Sequence, residues 1–217
     1  MNLKKRITTI QRRLNEHYPN PPIPLDHVNS FTLLVAVVLS AQATDKKVNE
    51  LTPALFQQAS SPEEMYELGE SKIYQKIKQL GLSKQKAKYL VGLSKMLIEK
   101  FSNQIPNNYK DLESLPGVGH KTASVVMAQA FNIPTFPVDT HIHRLAQRWG
   151  LSNGKNVKQT EEDLKKLFPK SNWNKLHLQI IFYGREHCTA RGCNGLVCDL
   201  CKELYPRRTK SVHYSKA

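Results

Sequence analysis

Apolar residues recur along the chain at spacings of three and four, while the alternation that a strand needs is nearly absent, so the pattern predicts helices. Ile7, Ile10 and Leu14 share one face of a first helix, which the proline-rich PNPPIP at 19–24 stops. The apolar run from Phe31 to Leu39 comes next, with Ser30 placed to cap it. Ser61-Pro62-Glu63-Glu64 joins a cap, a proline at the first helical position and a glutamate three residues after the cap, which marks another start. From Ser83 a longer helix carries Ala87, Leu90, Ser94, Leu97 and Phe101 on one side, until the segment 103–108 breaks it. KTASVVMAQAF, after Gly119, reads as a buried helix; Ile142, Leu145, Ala146 and Trp149 mark another that Gly150 can end. Thr160 is placed to cap a helix bearing Leu164, Leu167 and Phe168, and a last helix runs from Trp173 toward the first cysteine. The expected fold is all-α, with about ten helices.

Composition narrows the class. With 217 residues, 40% of them hydrophobic, and only 10 Gly and 12 Pro, the chain can bury a core and is neither low-complexity nor collagen-like. The longest apolar run, Phe31 to Leu39, is about half of the ~20 residues a membrane span needs, so no segment is expected to cross a bilayer. MNLKKRITTIQRRL is charged but lacks the apolar stretch of a secretory signal; the expected setting is intracellular and reducing, cytoplasmic and nucleoid-associated if bacterial. Lys and Arg number 32 against 18 Asp and Glu, a net charge of +14, which calls for a polyanionic partner through counterion release. Nucleic acid is the first candidate, with anionic lipid or a mere excess of lysine as the alternatives. The four cysteines all lie in CTARGCNGLVCDLC, at 188, 193, 198 and 201, which points to a metal centre rather than scattered core thiols.

Two stretches could carry chemistry. In Leu115-Pro116-Gly117-Val118-Gly119-His120-Lys121, two glycines flank one apolar residue between helices, so the turn can be tight and its backbone can approach a ligand closely. Amides opening the second helix would face an anion, and a phosphate gripped there is held without sequence readout. The bland alternative is an ordinary interhelical turn. Lys121 follows in the first turn, where the positive helix end and partial burial are expected to disfavour its charged form and make its amine a nucleophile toward a sugar carbon. Taken alone it is one more phosphate contact. Phe136-Pro137-Val138-Asp139-Thr140-His141 places an acid just before a helix. Asp139 can be a plain N-cap, or a carboxylate that stabilises a cationic sugar or accepts a proton.

LSAQATD (39–45), GLSKQKA (81–87), LPGVGHKTA (115–123), PVDTHIHR (137–144), GKNVKQTEE (154–162) and YGREHC (183–188) together resemble the endonuclease III family of DNA glycosylases with AP-lyase activity, in order and over almost the whole chain. The resemblance implies two helical domains with a DNA cleft between them: a six-helix domain at 23–133 holding the helix-hairpin-helix, and a second joining 1–22 to 134–217 with the cysteine loop. It implies Lys121 as nucleophile and Asp139 as catalytic acid, hence a bifunctional enzyme that excises damaged, chiefly oxidised, pyrimidines from double-stranded DNA and cuts the abasic site by β-elimination. Gln42 and Leu82 match positions that enter the duplex when a nucleotide is extruded, although core packing is the alternative for Leu82, flanked here by Lys84, Lys86 and Lys88. His141 matches a residue near the DNA backbone, with capping or core packing as its alternative. The other functional readings are a monofunctional or different-lesion glycosylase of the same fold and a non-catalytic DNA-binding protein; a monomer is expected.

The family holds a [4Fe–4S] cluster on cysteines spaced C-x6-C-x2-C-x5-C, whereas this chain has C-x4-C-x4-C-x2-C. Cys188 aligns through YGREHC; Cys193, Cys198 and Cys201 fit only by shifting. Four thiolates in one short segment suit an iron–sulfur cube; structural zinc and disulfides are the alternatives. Arg191, between Cys188 and Cys198, could present charge to DNA, and basic residues in both tails, Lys4 to Arg13 and Arg207 to Lys216, would add non-specific affinity.

Overall fold

The computed structural model describes residues 1–215, so Lys216 of the basic tail lies outside the described residues. Among them there are eleven α-helices, one short 3-10 turn at Lys170–Asn172, and no strand. The chain divides into two compact units, Ile23–Ile133 and Met1–Pro22 with Pro134–Ala217.

The continuous unit holds α2 (Ser30–Leu39), α3 (Asp45–Phe56), α4 (Pro62–Ile77), α5 (Ser83–Phe101), α6 (Tyr109–Ser114) and α7 (His120–Phe131). Every residue of α2 from Phe31 to Leu39 is buried, because the helix is apolar all round and is wrapped by α3, α5 and α7. Its N-cap is Asn29 rather than the expected Ser30: Asn29 Oδ1 accepts from Thr32 N–H at 2.8 Å, and Thr32 Oγ1 accepts from Asn29 N–H at 3.0 Å. Both residues can cap, but only Asn29 finds a reciprocal partner three positions on. The Ser61–Glu64 capping box forms as the sequence predicts, with Glu64 Oε2 accepting from Ser61 N–H at 3.0 Å. α4 and α5 pack as a hairpin, and α5 buries Ala87, Leu90, Ser94 and Leu97, the face expected of it.

In the split unit, α1 (Leu3–His17), α8 (Thr140–Arg148), α9 (Val157–Leu167), α10 (Trp173–Glu186) and α11 (Asp199–Leu204) surround Ile10, Leu14, Phe136, Ile142, Leu145, Trp149, Leu164 and Tyr183. The four cysteines belong to this same core. α9 starts one turn earlier than predicted, capped by Asn156, whose Oδ1 accepts from Gln159 N–H at 2.8 Å. Thr160 instead lies inside the helix, fully buried, with its hydroxyl 2.8 Å from Nδ1 of His143 on α8. Its oxygen ties two helices together where a sequence reading sees only a capping residue.

Candidate active site and metal centre

Leu115 to Gly119 forms a turn that links α6 to α7. Leu115 and Val118 point into the core, at 2% and 6% exposure, and anchor the turn, while the backbone at Gly117 and Gly119 is exposed. The two glycines serve different ends. Gly117 has φ +79°, and a Cβ there would lie 2.7 Å from ring atoms of Tyr89, so both backbone and packing demand glycine. Gly119 has φ −99°, and a Cβ would meet nothing within 4 Å. Its bare backbone leaves open space beside α7, a helix that no side chain caps. Backbone amides at a helix N-terminus are anion-binding groups.

Lys121 stands in the first turn of α7 and is exposed, so the partial burial expected of it is absent. Beside it, His120 stacks on Tyr109 with centroids 4.8 Å apart, and its Nδ1 lies 2.8 Å from Glu113.

Gln42 and Leu82 occupy two short turns, after α2 and before α5. Both are exposed and both adopt a left-handed backbone, φ 54° and 59°. The turns are neighbours: a Cβ on Gly81 would lie 3.8 Å from the carbonyl oxygen of Gln42. Leu82 is therefore not core, being 57% exposed. Lys84 and Lys88 flank it on the surface, but Lys86 does not. It is 2% exposed, with no hydrogen-bond partner for Nζ among the described residues, and burial pushes its amine below the ordinary lysine value. One helical step turns its stem toward the core, against the sequence expectation of a third surface cation.

In the split unit Asp139 is the N-cap of α8: Ile142 N–H donates to Oδ1 at 2.8 Å. Asp139 is half-buried. His141, two residues on, is half-buried, and burial lowers its pKa against the opposing pull of Asp139. Toward the other end of α8, Arg144 and Arg148 are 3% and 0% exposed. Sequence reasoning missed both, since arginines at i and i+4 on a helix ordinarily face water. Arg144 donates to the carbonyls of Gly184 (2.9 Å) and Cys188 (3.0 Å), and Arg148 to those of Cys188 (3.2 Å), Thr189 (2.8 Å) and Ala190 (3.1 Å). Arg148 also donates to Cys188 Sγ at 3.3 Å. The helix that presents Asp139 thus also holds the cysteine loop.

The ligand atoms of Cys188, Cys193, Cys198 and Cys201 all lie within 4.8 Å of one another, and all four residues are buried. None is in a disulfide; the Cys188 and Cys201 sulfurs are 3.8 Å apart, well beyond the about 2.05 Å of an S–S bond. Crowding splits the thiols: hydrogen bonds from Cys188 and Cys201 hold Cys198 far below the usual thiol range, and Cys188 is pushed up to about 12 by its bond with Cys198. Burial and the neighbouring Arg148 depress Arg144, while the charge of Asp139 pulls the other way. Nε of each arginine is buried, with no hydrogen-bond partner among the described residues. Two buried cations against four thiols make a site for an anionic metal–thiolate centre. Arg191 is exposed on the loop and is not drawn into the centre.

The sequence matches the HhH-GPD superfamily base excision DNA repair protein family over residues 35–170. It is 46% identical to endonuclease III of Treponema pallidum over 200 residues, covering 91% of this chain and 95% of that protein. The chain belongs to the endonuclease III family. Endonuclease III of Bacillus subtilis is 39% identical over 216 residues, 98% of each protein. A non-covalent endonuclease III–DNA complex superposes with TM-score 0.89 at 37% identity, over 97% of this chain and 100% of that one. A trapped endonuclease III–DNA covalent intermediate superposes with TM-score 0.87, also at 37% identity, over 92% and 94%. This member of the family is a DNA-binding base-excision glycosylase and AP lyase, and the all-α reading of its sequence is borne out. Among the described residues no helix is long and apolar enough to cross a membrane.

Proposed function

We propose that the enzyme removes oxidised pyrimidines from double-stranded DNA and cuts the resulting abasic site, with Lys121 as nucleophile and Asp139 as its acid–base partner. The carrying observation is Lys121 itself, exposed on the first turn of an uncapped helix directly behind a glycine turn with room for a phosphate. In this reading the turn's amides hold the backbone of the damaged strand. Gln42 and Leu82, exposed on adjoining left-handed turns, fill the gap left by an extruded nucleotide, and His141 and Arg191 contact the backbone.

The Lys121 amine attacks C1′, the glycosidic bond breaks, and the base leaves with the bonding electron pair and takes up a proton. Asp139 stabilises the cationic sugar and accepts the proton lost from the amine. The sugar ring opens to an imine on Lys121. Removal of a C2′ proton then expels the 3′ phosphate by β-elimination, and water releases the lysine. Borohydride added to enzyme and abasic duplex should reduce the imine to a covalent adduct that is absent in Lys121→Ala, and a surviving adduct would disprove this nucleophile. Nicking of defined duplexes, each carrying one oxidised pyrimidine, pyrimidine dimer or oxidised purine, reports the lesion class.

The resemblance puts a [4Fe–4S] cluster on Cys188, Cys193, Cys198 and Cys201, and four buried thiolates beside two buried arginines are the right donors for a metal centre. No step of the reaction runs through it. Its part is to hold the loop that Arg144 and Arg148 grip, and the spacing of its sulfurs bears on which metal it takes.

A further inference from the structure

We infer that the cysteine loop of this chain is built around a single tetrahedral metal ion of the zinc type, in place of the iron–sulfur cube that the family resemblance implies. The sulfur spacing carries the inference. Four thiolates on one zinc at about 2.3 Å put neighbouring sulfurs about 3.8 Å apart. Cys188 and Cys201 are at 3.8 Å, and all four ligand atoms fall within 4.8 Å. A [4Fe–4S] cube sets four irons and four sulfides between its thiolates and holds them roughly 6 Å apart. Even the widest pair here is short of that, and the surroundings leave no slack: Arg148, Leu200 and Tyr183 around the loop are 0–1% exposed. A close-packed interior does not open by that much without losing contacts elsewhere.

The chain spacing agrees. C-x4-C and C-x2-C each lie within the range of zinc-binding pairs, and they replace the family's C-x6-C-x2-C-x5-C. The loop is also shaped for individual thiolates. Cys198 N–H donates to Cys193 Sγ at 3.4 Å, and Arg148 donates to Cys188 Sγ at 3.3 Å. Charge does not separate the two occupants, since four thiolates around either a zinc ion or a doubly charged cube leave two net negative charges, which Arg144 and Arg148 match. Geometry does. With all four positions filled by sulfur, the ion has no open site and serves the fold alone.

Full-length protein produced with both iron and zinc supplied, purified without oxygen, and assayed for iron, zinc and acid-labile sulfide tests this. About one zinc per chain in a colourless protein is the expected result. About four irons and four sulfides with broad absorbance near roughly 400 nm would overturn it, as would protein that holds neither metal. Zinc taken up by chance at a cube site is excluded by stripping the metal and offering iron and sulfide anaerobically. No chromophore should survive desalting, and one that does refutes the inference whatever the first preparation held. Cys201→Ser, at the ligand that stands three positions short of the family pattern, should weaken zinc retention at least tenfold against a competing chelator; unchanged retention also counts against a four-thiolate ion. None of these outcomes touches the adduct on Lys121.

Discussion

Gln42 and Leu82 each hold a left-handed backbone that costs a non-glycine residue roughly 1–2 kcal/mol, and each is exposed, so packing within the protein does not repay the strain. Ser102, Asn132 and Asn194 share that combination, so what sets Leu82 apart is a large apolar side chain left 57% exposed, and neither strain nor exposure is visible in LSAQATD or GLSKQKA. The hairpin glycines divide in the same way. Gly117→Ala should destabilise by more than about 1 kcal/mol in urea unfolding, from its φ of +79° and the clash with Tyr89. Gly119→Ala should lose only up to about 1 kcal/mol, since alanine is a poorer N-cap, yet weaken duplex binding in a fluorescence titration because its methyl fills the open space. Equal loss of stability in the two would defeat the distinction. Asp139 combines a cap and a charge, and Asn caps as well as Asp. Asp139→Asn should therefore unfold within about 0.5 kcal/mol of the parent while base release in single-turnover assays falls at least tenfold. Asp139→Ala should lose both.

α8 is the element where the sequence was most informative about packing and least about purpose. Ile142, Leu145, Ala146 and Trp149 were legible as its buried face, and all four are buried. Arg144 and Arg148 were not, because their acceptors are backbone carbonyls of a loop some 40 positions away. Removing Arg148 takes the donor from the buried carbonyl and sulfur of Cys188 and from the carbonyls of Thr189 and Ala190 at the rim of the loop. Arg148→Ala should destabilise the split unit by about 3 kcal/mol or more and speed metal release to a chelator. If metal release is unchanged, the arginine does not brace the loop. Beyond the loop, the C-terminal segment returns over it: Val212 N–H donates to Asn194 O at 3.0 Å, Arg208 to Gly195 O at 3.2 Å, and Tyr214 lies over Arg148. Its contacts are as distant in sequence as those of the arginines, and equally hidden there.

Over the whole molecule, the net charge of +14 now separates into roles. Lys84 and Lys88 are surface cations beside the exposed Leu82, whereas Lys86, Arg144 and Arg148 are buried and serve the interior. Duplex affinity should fall steeply with salt, on the order of a thousandfold between 50 and 200 mM if about six phosphates are contacted. Replacing the exposed Lys4 and Lys5 together by alanine should flatten that dependence in a binding titration while leaving the borohydride adduct intact. A slope that does not change would place the phosphate contacts elsewhere.

By itself the sequence determined the helices and most of their buried faces, the glycine turn, and the lysine, aspartate and cysteines to which the proposed chemistry is assigned, because periodicity, capping and motif spacing are local properties of the chain. The tertiary structure alone decided which cations are buried, which capping residues cap, and how near the four sulfurs lie. Burial, hydrogen-bond partners and ligand spacing depend on residues far apart in sequence: Arg148 meets a loop near 189, Thr160 meets His143, and Cys188 meets Cys201. The cysteine pattern announced a metal centre, and only folded distances could distinguish a loop closed around one ion from a loop opened around a cube.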